Sequence, residues 1–316
     1  MTFISNDPSW WPTIDLSIFG SYMQVAAGVV VVYDWVLTLG QEIELIWRQR
    51  WSLMTVLYLI IRYIGIPFSV VRILESMPSV SLTDAVSGIA YYAINGTTMA
   101  LTTMLGVIMI TRLHAMYQGS RMMLSFLVII FLAVNIACGV IAAIGLNDTA
   151  VEEFILSGTY MCHYEYDGVV ELMLSMVWML NTVWEVLALC LSVWIAVKHF
   201  RELRRLGPST GSTIGDCFRV LIQSHVLYFA SFFSVSCLQL ATDLSSEFWG
   251  SNSIGVMIVE GAFDISSVAQ MFMLGPRLIL SVREYHAKLV AYSDADTSMN
   301  SIVFQEHVHV STSSTV

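Results

Sequence analysis

Long apolar stretches separated by short polar connectors make up most of the chain. Seven of these stretches reach the length of about 20 residues that a helix needs to cross the hydrocarbon core of a membrane. They are Ser17–Leu39, Ser52–Leu74, Ala85–Thr111, Met122–Leu146, Val169–Val197, Phe218–Ala241 and Ile254–Leu274. Because backbone groups in lipid have no water to bond, each stretch is predicted to be an α-helix. The pattern therefore predicts an all-α integral membrane protein, a bundle of seven transmembrane helices.

The basic residues indicate how this bundle is oriented. Of the 14 Lys and Arg residues, only Arg62 and Arg72 lie well inside a predicted span, and the others lie around alternate connectors or after the last span. The remaining connectors carry acidic residues and no Lys or Arg. Because Lys and Arg accumulate in cytoplasmic loops, the N-terminus is predicted outside and the C-terminus in the cytoplasm.

The segments outside the spans divide the chain further. Residues 1–16 are predicted to form an outer N-terminal tail, residues 17–289 the membrane domain, and the Ser/Thr-rich residues 290–316 a disordered cytoplasmic tail. Apolar residues at helical spacing with basic residues between them predict that Pro276–Leu289 is an amphipathic helix on the inner surface. The basic, Gly/Ser-containing connector Lys198–Asp216 is a candidate surface for a cytosolic partner, with anionic lipid headgroups as the alternative.

Composition supports a membrane location. The chain is 56% hydrophobic and 12% charged, whereas soluble domains are about 25% charged. The lipid bilayer is therefore the predicted surrounding, in the plasma membrane or an endomembrane. No basic tract of the kind that binds nucleic acid is present in the sequence.

Charged residues inside the predicted spans are costly and need a reason. Asp34 lies in the first span and Arg62 in the second, and we predict that they pair across the first helical hairpin. Glu185, Glu260 and Asp264 are competing partners. Two interpretations stay open, a buried pair that fixes helix packing and a group that belongs to a pathway or ligand site.

A second set of polar residues lies in the later spans. Its candidate site residues are Glu185, His225, Glu260 and Asp264, accompanied by the amides Asn95, Asn135, Asn181, Gln223 and Gln239. Hydrogen bonds between helices explain many such residues without a ligand. A cavity lined by these side chains is the alternative.

Several specific activities lack the residues that they need. A retinal pigment requires a Lys in a span for the Schiff base, but Lys198 and Lys288, which are the only lysines, lie outside the spans. The sequence has no HExxH pattern of a zinc hydrolase, and no serine with a paired base stands out as the nucleophile elbow of a hydrolase. No enzymatic activity, catalytic residue, metal ion or cofactor is therefore expected, and the ligand is unknown.

The first hairpin carries a mixture of charged, aromatic and apolar residues at fixed spacing. The positions are Tyr33, Asp34, Thr38, Leu39, Glu42, Glu44, Ile46, Trp47, Arg50, Trp51, Leu57, Tyr58, Arg62 and Tyr63. In this motif region, around residues 25–70, the chain resembles a family of fungal, mostly basidiomycete, multi-pass membrane proteins with the domain of unknown function 6533. The resemblance implies seven spans and supplies neither a substrate nor a catalytic residue.

Three functions are compatible with these features. The first is a receptor-like or sensory protein, whose outside-to-inside layout resembles that of G-protein-coupled receptors in topology alone. The second is a transporter or channel that uses the intramembrane Asp, Glu and Arg residues, and the third is a structural membrane protein. No internal repeat of the kind common in transporters is evident, which favours the first or the third.

Overall fold

Helices form most of the protein. The computed structural model describes residues 2–49, 51–80, 83–117, 119–147, 150–165, 168–206, 226–238, 254–284, 287 and 290. The helices are α1 (Trp11–Glu42), α2 (Leu53–Ser76), α3 (Asp84–Met116), α4 (Arg121–Asn147), α5 (Gly168–Leu206), α6 (Val226–Leu238) and α7 (Ile254–Ala269). A π-helical turn at Ile43–Trp47 extends α1, and another at Gln270–Leu274 continues α7 into a further helical segment that ends at residue 284. Below, α7 refers to this whole continuous helix, residues 254–284.

The helices have the length and the surface of membrane spans. Within the described residues, six helices are long and apolar enough to cross a membrane. Large apolar side chains such as Val29, Val36, Ile129 and Ile136 are exposed on their outer faces, where lipid would cover them. The prediction of a helical integral membrane protein is therefore confirmed. The span predicted at Phe218–Ala241 is described only over α6, so the seventh span and the orientation stay predictions.

A small sheet at one end of the bundle was not predicted. Strands β1 (Thr2–Ser5), β2 (Ala150–Leu156) and β3 (Thr159–Glu165) form it in that order, with β1 parallel to β2 and β2 antiparallel to β3. Ser157 and Gly158 have φ values of 49° and 84°, as a two-residue hairpin turn requires. The backbone N–H of Tyr160 donates to Pro78 O at 3.1 Å, which ties β3 to the connector after α2. We call this the sheet end of the bundle.

The start of α1 also differs from the prediction. The helix begins at Trp11, inside the segment expected to be a tail, because Pro12 is well tolerated in the first helical turn. Asp7 precedes it and accepts a hydrogen bond from the Ser9 backbone N–H at 2.9 Å. Hydrogen bonding to Ser9 lowers the pKa of the Asp7 carboxyl from its ordinary value.

The segment predicted as an inner surface helix is instead part of the bundle as far as it is described. From Pro276 to Glu284 the chain continues the helix of α7 without a break, and Leu278, Ile279 and Leu280 are buried in the core. Pro276 cannot donate a backbone hydrogen bond, and the π-helical turn immediately before it accommodates the altered hydrogen-bond pattern. The basic residues from Lys198 onward likewise continue α5 up to Leu206, whereas residues 207–216 of that connector lie outside the described residues.

Small residues allow the helices to approach closely in the core. A Cβ atom at Gly65 would lie 2.7 Å from Phe272 Cδ1, and one at Gly106 would lie 2.6 Å from Phe131 Cζ. Both distances are shorter than real contacts, so the aromatic rings occupy the space that glycine leaves. Close approach at these positions brings α2 against α7 and α3 against α4.

Replacing Gly106 with alanine is expected to reduce the free energy of unfolding by about 1–3 kcal/mol, because the new methyl group overlaps the buried Phe131 ring. Gly96 is the matched control on the same helix, since a Cβ atom there meets nothing within 4 Å. Gly96→Ala is expected to leave stability unchanged or raise it slightly. Equilibrium unfolding of the two purified variants in mixed micelles measures the difference, and equal losses would contradict this account of helix packing.

Candidate functional site

Two acids on α1 face the interior of the bundle. Asp34 and Glu42 are eight residues apart, which is about two helical turns, so both point to one side of α1. Each is 0% exposed. Unpaired carboxylates at this depth would be very unfavourable. Arg62 and Arg277 compensate their charge.

Arg62 on α2 makes the pair with Asp34 that the sequence predicted. Its Nη1 lies 2.5 Å from Asp34 Oδ2, and its Nη2 donates to the Asp34 backbone oxygen at 3.0 Å. Nη2 also donates to Thr38 Oγ1. The Nε atom lies 3.8 Å from Glu42 Oε2. Arg62 is thus held by two successive turns of α1, and its partners are not Glu185, Glu260 or Asp264.

Arg277 adds a second basic group from the far end of α7. Its Nε and Nη2 atoms lie 2.7 Å and 2.6 Å from Asp34 Oδ1, and its side chain is 43% exposed. We call Asp34, Glu42, Arg62 and Arg277 the charged cluster. Its two negative and two positive charges balance, and it joins α1, α2 and α7.

Hydroxyl and indole groups complete the surroundings of Glu42. Tyr63 donates to Glu42 Oε1 at 2.9 Å, the Trp47 indole donates to the same atom at 3.2 Å, and Tyr58 donates to Oε2 at 3.4 Å. Nearby, Arg283 donates to the Leu45 backbone oxygen at 2.8 Å. The turn between α1 and α2 is therefore held by hydrogen bonds from α2 on one side and from Arg283 on the other.

The predicted motif residues divide between this cluster and the surface. Asp34, Glu42 and Arg62 come together, and Trp47 is exposed while its indole N–H reaches Glu42. Tyr33, Glu44 and Trp51 are exposed, and Arg50 lies outside the described residues. Arg277 was missed. The signal that points to it is charge balance, because Asp34 and Glu42 together need one more basic partner than Arg62 supplies.

A cavity of about 150 Å³ lies between α3, α4, α5, α6 and α7. On α5 its lining residues are confined to the half of the helix nearer the sheet end, from Leu174 to Glu185. Its polar lining residues are Asn95, Thr98, Thr102, Asn135, Cys138, Asn181, Glu185, Ser236, Ser267 and Gln270. Its aromatic lining residues are Phe131, Trp178, Trp184, Phe232 and Phe263. We call it the polar cavity.

Several polar groups of this cavity are incompletely hydrogen-bonded. The hydroxyl of Ser236 on α6 donates to Glu185 Oε2, and no Lys, Arg or His among the described residues forms an ion pair with Glu185. Trp184 Nε1 and Gln270 Oε1 have no hydrogen-bond partner among the described residues, although their side chains are only 4% and 9% exposed. The residues of the cavity wall therefore include an acid without a basic partner, and a buried donor and a buried acceptor without a hydrogen bond, in the part of the chain that is described.

The residues predicted as one intramembrane polar site are not brought together. Glu185 lines the polar cavity, whereas Asp264 pairs with Arg72 at 3.4 Å on the other side of α7. Glu260 is exposed. His225 and the accompanying Gln223 and Gln239 lie outside the described residues. The predicted amides Asn95, Asn135 and Asn181 do converge on the cavity.

Metal ligation finds no support in the part of the chain that the structure describes. No group of three or more His, Cys, Asp or Glu side chains there is placed to hold a metal ion.

The long apolar helices make the chain a helical integral membrane protein. Its residues 22–67 match the model of a family of unknown function, DUF6533. The match includes Asp34, Glu42 and Arg62 of the charged cluster, and it ends before every residue that lines the polar cavity. A search of curated proteins gives no match.

Proposed function

We propose that this is a receptor-like membrane protein that holds a small molecule in the polar cavity. The observation that carries this proposal is the pair of buried, unpartnered atoms Trp184 Nε1 and Gln270 Oε1 in the wall of one cavity. Buried polar groups in folded proteins nearly always have a hydrogen-bond partner. A guest that accepts from one atom and donates to the other satisfies both. The role assigned is binding, without catalysis.

The charged cluster has a structural role in this proposal. Asp34 and Arg62 already form an ion pair, and Arg277 completes the charge balance. A ligand would have to displace one of these strong ion pairs to bind there. The cluster therefore serves to hold α1, α2 and α7 together.

The proposed orientation places the sheet end outside the cell or in the lumen. Arg48, Arg112, Arg121, Lys198 and Arg201 all lie towards the opposite end, as cytoplasmic residues do. The α5 residues that line the polar cavity, Leu174 to Glu185, then lie in the outer half of the bundle. The basic inner end, including the Lys198–Asp216 connector, is the proposed surface for a cytosolic partner.

Transport is the second candidate, favoured by the ion pair between Arg72 and Asp264. These side chains are 34% and 26% exposed although they belong to predicted spans, so a moving solute could reach them. Solute flux into reconstituted vesicles that disappears in Asp264→Asn would favour transport. Flux that is absent, together with saturable binding, favours the receptor-like role.

Filling the cavity tests the proposed binding site. Ala142 on α4 lines the cavity, whereas its neighbour Ala143 is exposed on the outer face of the same helix. Compounds that raise the thermal midpoint of the wild-type protein in lipid nanodiscs are expected to raise that of Ala143→Phe equally. Ala142→Phe is expected to lose the response, because the phenyl ring occupies the ligand's space.

The midpoints of both variants without compound establish that they fold. A small-molecule screen in which nothing stabilises the wild-type protein, or in which Ala142→Phe responds as the wild type does, would contradict the proposed function.

A further inference from the structure

Resting on the proposed function, we infer that the ligand of the polar cavity is a small organic cation, an amine protonated at neutral pH that also carries a hydrogen-bond acceptor. Glu185 binds the ammonium group and the Trp184 indole N–H binds the acceptor.

The buried acids of this protein differ in whether they have a basic partner. Among the described residues, the buried acids are Asp34, Glu42 and Glu185. Asp34 has two arginines within 2.7 Å, and Glu42 has Arg62 at 3.8 Å. Glu185 has only the Ser236 hydroxyl. A buried carboxylate is expensive without a positive partner, and the cavity beside Glu185 is where such a partner fits.

The described lining of the polar cavity carries negative charge alone. Among the described residues that line the cavity, Glu185 is the only one with a charged side chain, and none is Lys, Arg or His. A cleft with a single sign of charge and low-dielectric walls concentrates ions of the opposite sign. Anions are disfavoured for the same reason.

Aromatic rings and cavity size define the ligand further. The rings of Phe131 and Trp184 are tilted by 49° with their centroids 5.2 Å apart, and those of Trp178 and Phe263 meet edge to face at 5.9 Å. Cations bind over the faces of such rings. A volume of about 150 Å³ matches that of an engineered apolar cavity in another protein that accepts benzene. A ligand with one small ring or a short chain therefore fits.

A native thiol in the cavity wall provides the test. Cys138 lines the cavity and is buried, with its Sγ 3.8 Å from Asn181 Nδ2. In a chain whose other cysteines (Cys162, Cys190, Cys217 and Cys237) are changed to Ser, it is the single reactive site. Methanethiosulfonate reagents form a mixed disulfide with its thiolate, the thiol proton goes to solvent, and methanesulfinate leaves with the electron pair of the broken S–S bond.

The rate at which each of three reagents labels Cys138 is measured in nanodiscs. Each rate is divided by the rate at which the same reagent reacts with free 2-mercaptoethanol. The reagents are the neutral methyl, the cationic aminoethyl and the anionic sulfonatoethyl methanethiosulfonate. We expect the cationic reagent to label Cys138 at least about tenfold faster than the anionic one. Glu185→Gln should reduce that ratio to near 1, while Glu260→Gln, at an exposed acid that does not line the cavity, should retain it.

The outcomes separate the two proposals. If no reagent labels Cys138, including the neutral one, the cavity is closed to small molecules and the proposed function fails together with this inference. If the neutral reagent labels Cys138 but the wild-type protein shows no cationic preference, the ligand is not a cation. If the preference survives in Glu185→Gln, Glu185 does not bind the ammonium group. Either result overturns only this inference. The wild-type ratio alone suffices for that decision if Glu185→Gln does not fold.

Discussion

Asp34→Ala is expected to lower the free energy of unfolding by about 3–5 kcal/mol, which is the loss typical of removing one partner of a buried ion pair. The side chain of Asp34 is the shared acceptor of Arg62 and Arg277. Its removal leaves the buried guanidinium of Arg62 without its nearest carboxylate, with Thr38, the backbone oxygen of residue 34 and the more distant Glu42 as the remaining partners. It also breaks the ion pair that ties Arg277 to α1. Equilibrium unfolding in mixed micelles measures the loss.

Asp15→Ala is the matched control, because Asp15 lies on the same helix and is exposed. It is expected to change stability by less than about 0.5 kcal/mol. Equal effects of the two substitutions would show that the charged cluster contributes nothing to the bundle. Exchanging Asp34 and Arg62 is a poor test, since an arginine at position 34 would face Arg277 and an aspartate at position 62 would face Glu42.

Glu42→Ala is expected to cost about 3 kcal/mol, because it leaves three donors without their acceptor. These are the Tyr58 and Tyr63 hydroxyls and the Trp47 indole N–H. Glu44→Ala is the matched control two residues away, where the side chain is exposed, and it should be close to neutral. A Glu44→Ala variant as unstable as Glu42→Ala, measured in the same unfolding experiment, would contradict the hydrogen bonding described around Glu42.

The Asp34–Arg62 pair was predictable because an isolated charge in an apolar span demands a partner, and the first hairpin places the nearest opposite charge within reach. Arg277 was not predicted to take part. A basic residue among apolar ones suits a surface helix as well as a buried helix end, and the sequence alone does not distinguish them. Only the continuation of α7 past Pro276 brings Arg277 to Asp34.

The sheet and the cavity escaped prediction for a different reason. Strand β1 pairs with β2 across roughly 150 residues, and so short a strand has no stability until that distant pairing forms. The amides Asn95, Asn135 and Asn181 were recognised as polar residues in spans. Their convergence depends on how each helix is rotated about its axis, and helices that are apolar on most faces leave that rotation undetermined.

The two polar regions of the bundle thus differ in how far their charges and polar groups are paired. The charged cluster is balanced within the chain, and it belongs largely to the segment that matches a family of unknown function. Among the described residues, the polar cavity retains an acid without a basic partner, and a donor and an acceptor without a hydrogen bond. Helix α7 contributes to both, through Gln270 and through Arg277 two turns further on.

Saturation binding of a stabilising amine to the Ala142→Phe and Ala143→Phe proteins in nanodiscs tests the central claim most directly. Saturable binding with wild-type affinity to Ala143→Phe, and none to Ala142→Phe, is the predicted result. Equal binding to both proteins would contradict it, because the compound would then lie outside the polar cavity.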